Sequence, residues 1–232
     1  MLYLYTGSPG SGKSFHATWD IYNKLKRKKD NTVICNFNIF TDKFNHHGKF
    51  FFVENDGISV DFFRDFAITH HDRNREAQTL VVLDEAGYLF NSRDYGTNSK
   101  KRMEWIKFFS QHRKLGYNFI LIAQYDRAVD KQIRTLVEYE IAHMKLSNYF
   151  RLLPFTAFLC VERWYLQRVK IGTDIILYRK SIANLYDTYA MFDKNIDGVK
   201  QAREAVAGVG GSPTTAPTPA ITTDILQKQS NV

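Results

Sequence analysis

The apolar positions of this chain fall into short unbroken runs separated by helical stripes. Residues Met1 to Thr6 (MLYLYT) are rich in β-forming residues and end at Gly7, which predicts a buried strand. From Lys13 to Lys29, Thr18, Ile21, Tyr22 and Leu25 share one helical face, and KLKRKK places cations where a helix C-terminus favours them. Thr32 to Phe37 (TVICNF) predicts a second strand and Asp61 to Thr69 a helix. Thr79 to Leu83 (TLVVL), unbroken apolar from Leu80 on, has the pattern of a parallel strand buried on both faces. Arg102 to Leu115 carries a helical stripe of Met103, Ile106, Phe109 and Leu115, with Gly116 as its stop. Asn118 to Ala123 (NFILIA) predicts another buried strand, followed by a helix near Asp130 to Val137 and a short strand near Tyr139 to Met144.

Strands alternating with helices predict an α/β fold with a mainly parallel, helix-covered sheet. After Pro154 the pattern changes. Phe158 to Lys170 and Ile175 to Arg179 read as two strands joined around Gly172-Thr173-Asp174, an antiparallel ribbon added at the sheet edge. A helix from Ile182 to Met191 is expected to close the domain at about residue 192. The last aromatic is Phe192, and three of the five prolines (Pro213, Pro217, Pro219) follow it. Residues 193–232 therefore read as a helical end and a flexible Gly/Pro/Thr-rich, disordered tail.

Composition narrows the class. With 44% hydrophobic residues, the chain has material for a large core and is neither fibrous nor mainly disordered. Its net charge is +8; beyond residue 199 three cations (Lys200, Arg203, Lys228) face two acids (Glu204, Asp224), so about +7 belongs to the part that folds. That surplus suits nucleic acid, a nucleotide or an acidic membrane surface, and equally an ordinary soluble basic protein. Cys35 and Cys160 lie in apolar stretches without the spacing of metal ligands, and read as buried, reduced thiols. The opening residues lack the pattern of a signal peptide, and no apolar run approaches the ~20 residues of a membrane helix. A soluble, cytoplasmic domain is expected.

Gly7-Ser8-Pro9-Gly10-Ser11-Gly12-Lys13-Ser14 matches the phosphate-loop pattern G-x-x-x-x-G-K-[ST] in full, directly after a strand and opening a helix. Glycines let successive backbone N–H groups converge on phosphate oxygens, and the helix start adds its unpaired N–H groups. Lys13 is expected to reach the β- and γ-phosphates of ATP, and the Ser14 hydroxyl to ligate Mg²⁺. Leu80-Val81-Val82-Leu83-Asp84-Glu85 is an apolar strand ending in two carboxylates. Asp84 is assigned to Mg²⁺ and Glu85 to the attacking water as general base.

Gln124, after the strand NFILIA, reads as an amide that orients this water or senses the γ-phosphate, or as a turn residue. Arg113, in Gln111-His112-Arg113-Lys114, reads as a finger reaching a neighbouring subunit's nucleotide, or as a helix-end cation. Arg134 is a second finger candidate. Lys24, Lys26, Arg27, Lys28 and Lys29 offer contacts to DNA or lipid phosphates, or a solvated helix end. The pairs His46-His47 and His70-His71 read as surface residues.

The loop GSPGSGKS near the start, VICNFN, VVLDEAGYLFNSR, HRKLGYNFILIAQ and SIANLYDTY, in this order, resemble the N-terminal domain of the zonular occludens toxin (Zot) family, which includes the gene I morphogenesis proteins of filamentous phages. The resemblance implies a P-loop ATPase related to DNA-pumping motors, energising virion assembly and DNA export at the inner membrane face of the host. It implies ATP and Mg²⁺ as cofactors, and as partners phage DNA, its coat or DNA-binding proteins and host envelope assembly proteins. A homo-oligomer is expected, a ring being one form. Family members commonly continue into a transmembrane helix, so membrane attachment is expected through a partner or through an anchor beyond this chain, and toxicity is not expected of this region. Two rival functions stay open: a general DNA translocase of the conjugation or segregation kind, and a nucleotide-gated scaffold that binds ATP without hydrolysing it.

Overall fold

The computed structural model describes residues 1–28, 30–91, 99–146 and 155–186. Its elements are β1 (Leu2–Thr6), α1 (Lys13–Arg27), β2 (Thr32–Cys35), β3 (Lys49–Phe52), α2 (Val60–His70), β4 (Thr79–Leu83), α3 (Ala86–Leu89) and α4 (Ser99–Gln111). There follow β5 (Tyr117–Ile122), α5 (Lys131–Arg134), β6 (Tyr139–Lys145), β7 (Ala157–Trp164), β8 (Lys170–Leu177) and α6 (Lys180–Ala183). The strands form one sheet in the order β3-β2-β4-β5-β1-β6-β7-β8. Neighbours from β3 to β6 are parallel, and β7 and β8 extend the sheet antiparallel.

Alternation along the central strands divides the core into two layers. Leu2, Leu4, Val81, Leu83, Phe119 and Leu121 face α2 and α4, where Phe63, Trp105, Phe108 and Phe109 fill the layer. Tyr5, Val33, Leu80, Val82, Ile120 and Ile122 face the other way, onto Ala17, Ile21 and Leu25 of α1. Because both faces are covered, β1, β4 and β5 are apolar at nearly every position, with Thr6, Thr79 and Asn118 as the polar exceptions. Their carboxyl ends converge at one sheet edge, with β5 lying between the strand that feeds the phosphate loop and the strand that ends in Asp84.

Four features differ from expectation. The face of α4 is turned: Trp105, Phe108 and Phe109 are buried while Met103 is exposed, and the helix ends at Gln111, its trailing turns closing at Gly116 with φ +86°. The ribbon turns at residues 165–169, where Arg168 takes φ +57°, and Gly172-Thr173-Asp174 lie inside β8. Gly172 is paired with Glu162 beside an irregularity in the β7–β8 ladder, so this glycine marks a bulge and not a turn. His71 is no surface residue: Nδ1 lies 2.6 Å from Leu115 O and Nε2 2.6 Å from Thr79 Oγ1, joining the end of α2 to the start of β4. The edge strand β3 is not among the expected elements, although Phe50-Phe51-Phe52 is a run of β-forming residues. Cys35 and Cys160 are buried as expected, and burial pushes the Cys160 thiol up to about 12. The closing helix is described only over Lys180–Ala183; its expected continuation to Met191 and the tail 193–232 lie outside the described residues.

Candidate active site

The phosphate loop joins β1 to α1, with Ser8, Pro9 and Gly10 as its exposed crest. Two of its glycines are required twice over. Gly7 has φ +146°, and a Cβ there would sit 2.5 Å from His143 O. Gly12 has φ +97°, and a Cβ there would meet the Phe158 ring at 2.5 Å. The loop is tied to the tip of β5 because Gly7 N donates to Gln124 O at 3.2 Å. Inside it, Ser11 is buried and its Oγ finds no partner among the described residues. A buried, unpartnered hydroxyl in a cradle of backbone N–H groups fits an anionic oxygen.

Lys13 Nζ donates to Gly7 O at 2.8 Å and Ser8 O at 3.1 Å, which folds its ammonium over the loop. Burial lowers its pKa, while the nearby charges of Asp84 and Glu85 act to raise it. The Ser14 hydroxyl donates to Asp84 Oδ2 at 2.9 Å, linking positions 70 residues apart. One hydroxyl and one carboxylate oxygen facing each other beside a phosphate cradle are the oxygen donors Mg²⁺ takes from protein.

Asp84 is itself held. Its N–H donates to Asn36 Oδ1 at 2.7 Å, and Asn36 Nδ2 donates back to Asp84 O at 2.9 Å and to Asn55 Oδ1 at 2.8 Å. Sequence reasoning missed Asn36 and Asn55; the only signal was a polar residue at the tip of β2. Glu85 follows with φ +50° and an N–H that donates to Asp84 Oδ1 at 2.8 Å. This left-handed turn, costing about 1–2 kcal/mol for a residue with a Cβ, swings the chain from β4 into α3 and leaves the Glu85 side chain exposed at the sheet edge. Gln124 is exposed at the end of β5, between the loop and Asp84 in strand order.

The arginines are elsewhere. Arg113 precedes β5 at the opposite sheet edge, with Nη2 3.5 Å from Glu76 Oε2 and Nη1 3.7 Å from Glu138 Oε2. Arg134 pairs with Asp126 at 3.6 Å. Neither is brought to the loop within the chain. Lys24 and Lys26 are occupied with Ala77 O and Tyr22 OH, at the basic end of α1.

A parallel sheet whose first strand feeds a phosphate loop, with an acidic strand end facing the loop's serine across one intervening strand, defines a P-loop NTPase domain. A profile of the Zonular occludens toxin (Zot) family matches residues 1–192, and the chain belongs to that family. It is 31% identical to the Gene 1 protein of Enterobacteria phage M13 over 144 residues, which cover 55% of this chain and 40% of that protein. The chain thus matches less than half the length of such relatives. In structure it resembles the N-terminal domain of zonular occludens toxin from Neisseria meningitidis, with TM-score 0.53, 21% identity, and 80% of this chain and 98% of that one covered. It also resembles a DnaB-like replicative helicase, with TM-score 0.51 and 11% identity over 77% of this chain and 56% of that one. Among the described residues no helix is long and apolar enough to cross a membrane.

Proposed function

We propose that this chain is a Mg²⁺-dependent ATPase domain serving virion assembly and DNA export of a filamentous phage or related element. The observation that carries this reading is the contact of Ser14 Oγ with Asp84 Oδ2 at the mouth of the glycine loop. Kinship with phage Gene 1 proteins supports the biological setting.

In this reading the N–H groups of Gly10, Gly12, Lys13 and Ser14 bind the phosphates, Ser11 Oγ adds a hydrogen bond, and Lys13 leaves the loop carbonyls to neutralise phosphate charge. Ser14 and Asp84 would hold Mg²⁺, which when bound supplies positive charge against the β- and γ-phosphate oxygens. Glu85 takes the proton of the attacking water, and Gln124 orients that water. Gln124 is also bonded through its backbone to Gly7, so a change at its side chain has a direct path to the loop. Arg113 acts on the nucleotide of a neighbouring copy in a homo-oligomer. Partners are DNA and the proteins that coat or export it, at the cytoplasmic face of the host membrane.

Steady-state phosphate release with and without DNA tests the reading. Glu85→Gln is expected to lower turnover at least a hundredfold, the contribution of a general base, while ATP still binds. A wild-type chain that binds ATP but releases no phosphate under any condition would leave the scaffold reading. Strong stimulation by DNA alone, steeply dependent on salt, would favour a general translocase.

A further inference from the structure

Beneath the phosphate loop, three metal-ligating side chains from three elements converge: His16 of α1, His143 of β6 and Cys160 of β7. His16 Nδ1 lies 2.9 Å from His143 Nε2 and 3.8 Å from Cys160 Sγ, and the three ligand atoms are all within 4.8 Å of one another. Around one tetrahedral Zn²⁺, ligand nitrogens stand about 3.4 Å apart and nitrogen and sulfur about 3.6 Å apart, from bond lengths of ~2.05 and ~2.3 Å. The 2.9 Å contact is about 0.5 Å shorter and the 3.8 Å contact about 0.2 Å longer than that geometry, and His143 and Cys160 need only settle from within 4.8 Å of each other. His143 and Cys160 are partners across the β6–β7 ladder, so their side chains share the sheet face covered by α1.

The surroundings are those of ligands held in place. The other nitrogen of His143, Nδ1, lies 3.2 Å from Thr6 O, and the other nitrogen of His16, Nε2, lies 3.7 Å from Asp20 Oδ2. Asp20 is fixed by the Tyr5 hydroxyl at 2.7 Å, and the Tyr5 ring packs on both imidazoles, with centroids 4.9 and 5.0 Å away. Ligating histidines typically show such carbonyl and carboxylate partners on the far nitrogen. Burial lowers the pKa of both imidazoles, the direction that favours the neutral, metal-binding form. If each neutral ring directs its single N–H to its outer acceptor, two lone pairs face each other at 2.9 Å, an arrangement that a cation between them relieves. Asp174, opposite Cys160 in the β7–β8 ladder, adds negative charge on the same side.

The geometry points to His16, His143 and Cys160 as the protein ligands of a Zn²⁺ site that staples α1 to β6 and β7. The fourth position falls to Asp174 or water, and Cys160 gives up its proton to solvent as the ion binds. The staple lies next to the nucleotide site, since His16 follows Ser14 by two residues and His143 O backs Gly7. It is chemically distinct from it: two imidazoles and a thiolate select zinc, whereas Ser14 and Asp84 offer only oxygen.

Co²⁺ titration of the full chain, stripped with chelator and kept reduced without thiols or nucleotide, tests the site. One equivalent is expected to bind with a thiolate-to-cobalt band in the near ultraviolet and tetrahedral bands in the visible, both erased by Zn²⁺. Cys160→Ala is expected to lose the thiolate band, while Cys35→Ala and Asp84→Asn keep it. Zn²⁺ at a hundredfold excess over its Kd is expected to raise the wild-type Tm by about 5–10 °C, and to leave His143→Ala unmoved. A folded wild-type chain without the thiolate band overturns the site and leaves a plain hydrogen-bond chain from His16 through His143 to Thr6. A band that survives in Cys160→Ala overturns it equally. The wild-type spectrum decides even if a variant fails to fold.

Discussion

Asp84 is restrained from three directions: by the Ser14 hydroxyl, by the Asn36 amide on its backbone, and by the N–H of Glu85 on its other carboxylate oxygen. The amide is the least replaceable of these, because Asn36 satisfies both backbone groups of Asp84 at once. Asn36→Ala is therefore expected to cost about 2–3 kcal/mol in stability, two hydrogen bonds with partners left unmet. Turnover should fall about 10–100-fold, the usual effect of removing a group that orients a metal ligand. Thermal melts and phosphate release on the same preparation measure both, and wild-type turnover in this variant would remove Asn36 from the site. Lys13, Ser14 and Asp84 are legible in the sequence because each belongs to a short pattern whose spacing carries the chemistry. Asn36 is not, because its role depends on β2 pairing with β4 and so on a contact 48 residues away. The meeting of His16, His143 and Cys160 is hidden for the same reason, and Cys160 has no partner ligand near it in sequence.

At the scale of elements, the antiparallel extension is locked to the parallel sheet through Asp126 in the β5–β6 crossover. Asp126 Oδ2 accepts from the Tyr165 hydroxyl and from Arg168 at 3.1 Å each, and Arg134 lies 3.6 Å away. Arg168 also donates to Glu140 at 3.0 Å, so the ribbon turn grips β6 as well. Burial alone would raise the Asp126 carboxyl, but the Arg168 and Tyr165 hydrogen bonds and the Arg134 charge outweigh it and hold the pKa below 3.8. A depressed carboxylate contributes stability above its unfolded pKa and loses it as pH falls through the folded value. The Tm gap between wild type and Asp126→Asn should thus be a few degrees and constant from about pH 6 to 8, and should shrink below about pH 4. A gap unchanged down to about pH 3 would contradict it. This lock explains why the sequence pattern misplaces the ribbon turn. Residues 165–169 contain no glycine, and the turn is made by tertiary bonds from Arg168, whereas the glycine that suggests a turn, Gly172, sits beside a bulge. The strands β4 and β5 are legible because both faces are buried. The strand β3 is not, being four residues long and at an edge with both ends exposed. The stripe of α4 reads one step out of phase because Met103 resembles a core residue yet is exposed.

For the whole molecule the open quantity is what completes the site. Arg113 stands at the start of β5 and the phosphate loop at its end, so about 20 Å of strand separates them. Arg113 can therefore serve a nucleotide only across an interface, in a head-to-tail assembly where one subunit's loop edge meets another's opposite edge. Its pairs with Glu76 and Glu138 are half-exposed and contribute little to folding, so Arg113→Ala should leave Tm nearly unchanged. As a finger in trans, the same change should lower turnover about a thousandfold or more. Mixing supplies the decisive comparison. Arg113→Ala keeps Glu85, and Glu85→Gln keeps Arg113, so a subunit of the first beside a subunit of the second rebuilds one complete site. In a random equimolar mixture roughly a quarter of head-to-tail interfaces have that composition, and phosphate release should recover in proportion although each variant alone is nearly inactive. Sedimentation with a non-hydrolysed ATP analogue should show the assembly in which this occurs. If turnover survives in Arg113→Ala alone, or if the mixture stays as inactive as its components while the chains do assemble, Arg113 is a helix-end cation paired with two glutamates and nothing more.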